Sequence, residues 1–329
     1  MHPPSRSTHA ASLPLLALTI VALLPGCKPA SPTTASTPAR DSTSPPRVAL
    51  VMKSLANEFF LTMENGARAH QKTNATRYDL LANGIKDELD VPRQIDMVEQ
   101  MIAQGVHALV IAPADSKALV PVCRKARAAG IVVVNIDNKL DAAVLAEQQT
   151  RIPFVGPDNR KGARKVGDHL ARQLKPGDKV AILEGAPNAF NGQQRLAGFT
   201  DAFSAAGLVV ASSQSGHWET DKANQVAAAI LSEHPDLKAF ACANDSMALG
   251  AIAALRAAGK LGRILVVGFD NISAAQTLLR ERGMLATADQ HADRIAVFGI
   301  EYALQLLASG ADPADLETPV DLVTADPTP

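Results

Sequence analysis

Two hydrophobic rhythms alternate along the chain from residue 47 onward. Short continuous apolar runs at Arg47–Lys53, Tyr78–Ala82, Ala108–Ile111 and Ile131–Ile136 read as strands. Between them lie stretches with apolar residues every three or four positions, which predict amphipathic helices. Phe59–Lys72 carries such a stripe through Phe60, Met63, Ala67 and His70. Pro92–Gln104 carries one through Ile95, Val98, Met101 and Ile102, and Ser116–Ala129 is a helix ended by Gly130. After a short extended piece at Ile152–Val155, Pro157-Asp158-Asn159 supplies turn chemistry that caps a helix over Lys161–Leu174. The rhythm then restarts. Strands are predicted at Lys179–Leu183, Leu208–Ser213, Ala239–Cys242, Ile264–Val267, Leu285–Asp289 and Val320–Val323. Helices are predicted at Gln194–Ala206, Lys222–Glu233, Ser246–Ala258, Ser273–Arg282 and Arg294–Ala308. Continuous apolar strands separated by amphipathic helices predict an α/β protein with parallel sheets covered on both faces. Its two similar, Rossmann-like lobes are expected to enclose a cleft.

Length and charge sharpen this picture. A chain of 329 residues is long for one domain and comfortable for two. The formal net charge is −1 and the basic residues are dispersed, which argues against a nucleic-acid partner. The first residues have a different character. A short polar start, an apolar run over Ala10–Leu24 and the sequence Leu24-Pro25-Gly26-Cys27 predict a lipoprotein-type signal peptide over 1–26, with Cys27 as the lipidated residue. Pro25 departs from the small residue usual in such a site, and ordinary signal cleavage nearby is the alternative. Residues 27–46 are rich in Pro, Ser and Thr and predict a disordered tether. Cys123 and Cys242 lack metal-type spacing. Buried free thiols are expected, with a disulfide as the alternative in an exported protein.

The chemistry collects just beyond the predicted strands. There lie Asn57-Glu58-Phe59-Phe60, Asp137-Asn138, Asn244-Asp245, Asp270-Asn271 and Gln290. Open α/β sheets bind ligands outside the carboxyl ends of their strands, so these residues are expected to converge. Carboxylates and amides can hydrogen-bond hydroxyls, and aromatic faces cover C–H surface. The set suits a small, neutral, polyhydroxylated ligand. Each cluster has a structural alternative. Phe59 and Phe60 can be core, Trp218 a loop residue, and Asp137 and Asp270 turn formers. For Asp158, Asn159 and Asp245 a capping role is the better reading, and for Arg195 an ion pair. The sequence carries no His-Glu-x-x-His, paired-Cys, calcium-loop, Walker A, Gly-x-Gly-x-x-Gly or Gly-x-Ser-x-Gly motif. No cofactor, no metal and no enzymatic activity are expected.

From Val48 to Thr324 the chain resembles the periplasmic sugar-binding proteins of the ribose-binding type, the capture components of ABC importers. The pieces that carry the resemblance are Leu50-Val51-Met52-Lys53-Ser54, Asn57-Glu58-Phe59-Phe60, Ile136-Asp137, Val155-Gly156-Pro157-Asp158-Asn159, Arg195 with Gly198-Phe199, Asn244 through Gly250, Val267-Gly268-Phe269-Asp270 and Pro319 through Val323. It implies a periplasmic binding protein of type I fold with a three-crossover hinge. One lobe would be 47–152 plus 291–318, the other 153–290 plus 319–329. It also implies high-affinity capture of a monosaccharide or sugar alcohol and delivery to ABC permease subunits, by a monomer held at the membrane only through its lipid anchor. Asn57, Asp137, Asn244, Asp270 and Gln290 would bond sugar hydroxyls, and Phe59, Phe60 and Trp218 would pack on the ring. Asn138 and Gln193 join this ligand set at positions where ribose-type proteins commonly carry Arg. Losing those bidentate donors points away from ribose itself. A sensory protein presenting a sugar or signalling molecule to a membrane receptor is the alternative. A repressor of related core is disfavoured, because its helix-turn-helix position holds the export segment.

Overall fold

The structure, a computed structural model, describes residues 44–311 and 314–325. The expected signal peptide, Cys27 and nearly all of the tether lie outside the described residues. Among the described residues no helix is long and apolar enough to cross a membrane.

The first sheet contains β1 (Arg47–Met52), β2 (Asp79–Gly84), β3 (Ala108–Ile111), β4 (Val132–Ile136), β5 (Phe154–Pro157) and β11 (Leu316–Thr318). Its order is β2-β1-β3-β4-β5-β11 and every pairing is parallel. The second contains β6 (Lys179–Glu184), β7 (Val209–Ser215), β8 (Ala239–Cys242), β9 (Leu265–Val267), β10 (Ala286–Asp289) and β12 (Asp321–Thr324). Its order is β7-β6-β8-β9-β10-β12, with β12 antiparallel to β10. The continuous apolar runs have a direct cause. In β1, Val48, Leu50 and Met52 enter one core while Ala49 and Val51 enter another. In β6 the same alternation sends Ala181 and Leu183 one way and Val180 and Ile182 the other. The middles of these central strands are therefore buried on both faces, and their polar residues, Arg47, Lys179 and Glu184, fall at the strand ends.

Helices α1 (Glu58–Thr73) and α10 (Ala292–Ser309) pack together over the first sheet, and α2 (Val91–Ala103) and α3 (Val120–Ala128) pack as a second pair. Over the second sheet, α5 (Asn159–Ala171) pairs with α6 (Phe190–Ala205), and α7 (Thr220–Glu233) with α8 (Asp245–Ala257). The short α4 (Ala142–Glu147) and α9 (Ser273–Arg280) complete the set.

The chain crosses between sheets after β5, after β10 and between β11 and β12. The first crossing corrects the expected lobe boundary. Phe154 and Val155 pair with Asn135 and Ile136 of β4, and Val155 also pairs with Leu316 of β11, so the strand belongs to the first sheet. Asp158 accepts from Lys161 N at 3.0 Å as it opens α5 on the second lobe. A capped helix start was visible locally; the sheet that owns the preceding strand was not. Helix α3 also starts later than expected, at Val120 with Pro121 in its first turn. Cys123 and Cys242 are buried and unpaired.

Candidate functional site

A small cavity lies between the lobes, where the carboxyl ends of both sheets meet. On the first lobe, β1 is followed directly by Lys53 and the chain turns through Asn57 into α1. Asn57 caps that helix: its Oδ1 accepts from Phe59 N at 3.1 Å, and its Nδ2 donates to Glu88 Oε1 at 3.3 Å. Phe59 and Phe60 are adjacent, yet both are buried and both line the cavity. Their rings meet edge to face with centroids 5.1 Å apart. Beyond β4, Asp137 turns inward at φ 60°.

The second lobe supplies Trp218, Asn244, Asp270 and Gln290, with Asn191 and Arg195 from α6. Trp218 sits at φ 71° and Asp270 at φ 122°. Side chains bearing a β-carbon rarely adopt such angles, at a cost of roughly 1–3 kcal/mol each. Strain concentrated at three strand-following turns, all aimed at one cavity, is the pattern of a ligand site. Asn244 caps α8 by accepting from Met247 N at 2.9 Å, and its Nδ2 donates to the Trp218 carbonyl at 3.2 Å. Asp270 Oδ1 accepts from Gln290 Nε2 at 2.7 Å and stands 3.5 Å from Arg195 Nη1. Arg195 donates further to Ala243 O and Asn159 Oδ1, each at 2.8 Å, and lies 3.8 Å over the Phe269 ring.

Lys53 occupies the centre. Its Nζ is 3.4 Å from Asp137 Oδ2 and 3.7 Å from Glu88 Oε2. Phe60 and Trp218, from opposite lobes, hold it at 5.3 and 5.4 Å from their ring centroids. Burial pushes the Glu88 carboxyl up to about 7, with Lys53 opposing and Asp137 reinforcing the shift. Burial likewise pushes Asp270 well above the usual carboxylate range against the pull of Arg195, and lowers Arg195 against the pull of Asp270.

The polar atoms left over define what the cavity can bind. Glu88 Oε2, Asp137 Oδ2 and Gln290 Oε1 are buried without a hydrogen-bond partner in the protein. A buried acceptor left unmade costs about 1–3 kcal/mol. A ligand rich in O–H donors satisfies all three while the aromatic rings cover its C–H faces. Among the described residues no group of three or more His, Cys, Asp or Glu is arranged to hold a metal ion.

Asn57, Phe59, Phe60, Asp137, Trp218, Asn244, Asp270 and Gln290 are thus brought to one cavity. Asn138 and Gln193 are not. Asn138 is fully buried with its amide consumed elsewhere: Nδ2 donates to Pro113 O at 2.8 Å, and Oδ1 accepts from Asn191 N at 3.1 Å. Gln193 lies on the exposed face of α6 and donates to Pro187 O at 2.7 Å. Two residues apart on a helix is about 200° of rotation, so when Arg195 faces in, Gln193 faces out. Asp245 holds structure, accepting from Thr287 Oγ1 at 2.8 Å and Ile272 N at 3.1 Å. Lys53, Glu88 and Asn191 are site residues the sequence did not single out. Lys53 was detectable as the polar end of an apolar strand. Glu88 sits in an irregular turn with no periodic signal.

This fold and site are those of a binding protein with a cleft between two lobes. The chain belongs to the family described as periplasmic binding protein domain, whose pattern matches residues 48–312. It is 58% identical over 319 residues to the D-ribose/D-allose-binding protein of Pseudomonas aeruginosa, covering 96% of this chain and 98% of that one. An ABC transporter solute-binding protein from Burkholderia multivorans superposes with a TM-score of 0.84 at 60% identity, over 85% of this chain and all of that one. One from Actinobacillus succinogenes, solved with bound D-allose, superposes at 0.81 with 34% identity, over 85% of this chain and 98% of that one.

Proposed function

We propose that this protein captures an aldose of the ribose and allose type in the periplasm and delivers it unaltered to an ABC importer permease. The observation that carries this reading is the set of three buried acceptors that no protein group hydrogen-bonds, Glu88 Oε2, Asp137 Oδ2 and Gln290 Oε1, around a cavity flanked by Phe60 and Trp218. The name of the Pseudomonas relative and the allose bound to the Actinobacillus protein support the sugar class. Ribose stays within that class. Asn57, Phe59, Phe60, Asp137, Trp218, Asn244, Asp270 and Gln290 form the proposed ligand set, with Lys53, Glu88, Asn191 and Arg195 added.

Calorimetric titration with D-allose, D-ribose and a panel of pentoses, hexoses and sugar alcohols tests this. Micromolar or tighter binding of one aldose, which needs only about −8 kcal/mol, is the expected result. No heat and no thermal stabilisation from any sugar in the panel would discard it. Tethering through a lipidated Cys27 belongs to the same proposal. Mass spectrometry of membrane-extracted protein should find a diacylglyceryl-modified Cys27, and Cys27→Ser should release the protein into the soluble fraction.

A further inference from the structure

Hydrogen bonds made wholly by protein atoms join the lobes outside the sugar cavity. At the ends of β3, β4 and β6, Ser116 N donates to Asn188 O at 3.1 Å, and Phe190 N donates to Ser116 Oγ at 2.9 Å. There too, Asn191 N donates to Asn138 Oδ1 at 3.1 Å, and Asn188 Nδ2 donates to Asp115 Oδ2 at 2.7 Å. At a second point, where the end of β1 faces the end of β9, Ser273 N at the start of α9 donates to Glu58 Oε1 at 2.8 Å. The first-lobe half of the larger cluster is preset by bonds within its own lobe. Asn138 Nδ2 is anchored on Pro113 O at 2.8 Å, and Asn135 Nδ2 donates to Asn138 O at 2.7 Å. That anchoring aims Asn138 Oδ1 at the other lobe.

We infer that Ser116, Asn138 and Asn188, with Glu58 at the second point, form a clasp that closes the lobes independently of ligand and so sets the apparent affinity for every sugar by the same factor. The physical basis is population arithmetic. When only a fraction of the protein is binding-competent, the apparent Kd is the intrinsic Kd divided by that fraction. Clasp residues other than Asn191 do not line the cavity, so they act on the fraction and not on recognition. The inference rests on the proposed capture function for its affinity arm, while its distance arm needs no sugar.

The test compares wild type with a Glu58→Ala/Asn188→Ala variant; neither residue is buried, so the fold is not at risk. Nitroxide labels go on the exposed positions Gln100→Cys in α2 and Lys222→Cys in α7, and interlobe distances are read by electron–electron resonance. In ligand-free protein the short-distance population should fall by about threefold or more in the variant. The Kd values for D-ribose and D-allose should rise by that same factor, equally for both. Ser116→Ala should move both readouts in the same direction. Unchanged distances would overturn the inference, as would a shifted distribution with unchanged Kd, or Kd changes that differ between the sugars. If neither sugar binds wild type, the capture proposal fails and the distances alone decide the clasp.

Discussion

Trp218 rests directly on Gly185: a β-carbon added to Gly185 would stand 2.1 Å from the indole ring. The absent side chain at the end of β6 is what lets the ring reach the cavity. Gly185→Ala is therefore expected to push the indole out of place. Overpacking of this kind costs roughly 1–3 kcal/mol. Sugar affinity should fall by about tenfold or more, and the emission of the single Trp should shift before any sugar is added. Fluorescence titration checks both.

Asp137 combines a positive φ of 60° with a buried Oδ2 that no protein group hydrogen-bonds. Asn tolerates the left-handed region, so Asp137→Asn should fold normally. It removes the charged acceptor, and hydrogen bonds to charged groups are worth about 1.5–3 kcal/mol. Calorimetry should show at least tenfold weaker sugar binding, and the melting temperature should fall as well, because the buried Lys53 ammonium loses its partner at 3.4 Å.

Glu88 gives the ligand-free protein a pH dependence. Burial raises its carboxyl from 4.5 to about 7, so the folded state holds a proton that the unfolded state releases. Its contribution to stability is full below pH 4.5 and is lost as pH rises toward 7. The loss amounts to about 3 kcal/mol at most. Urea unfolding across this window should show Glu88→Gln with a flatter profile than wild type, the difference growing as pH rises.

Arg195 is the buried counterion of Asp270. Removing one partner of such a pair typically costs about 3–5 kcal/mol, because the other charge stays buried alone. Arg195→Ala should lower stability by that order, and adding Asp270→Asn should restore part of it. Denaturant midpoints of the single and double variants decide the matter.

The architecture was legible because burial on both faces of a parallel sheet writes continuous apolar runs into the sequence, and helix stripes fill the gaps. Two elements escaped for the matching reason. Helix α4 spans six residues with only Val144 and Leu145 packed partly buried on the core, and β11 spans three with only Thr318 buried, so neither is long enough to show a period. Strand-end residues such as Asp137, Asp270 and Gln290 stood out because a polar residue directly after an apolar run is conspicuous. Asn138 was equally conspicuous and is turned away from the cavity, since which way a side chain leaves a turn depends on its partners, here Pro113 and Asn191. Lys53 and Glu88 show the converse. Their meeting with Asp137 joins three separate loops, and no local spacing records that.

The outermost strands β11 and β12 come from the same closing stretch of chain, one for each sheet. During synthesis both halves therefore keep an unpaired border until this stretch has emerged, and neither can be obtained whole by a single cut in the chain. A fragment lacking that stretch would carry two open borders at once and should clump, whereas the full chain seals both within a few residues of each other.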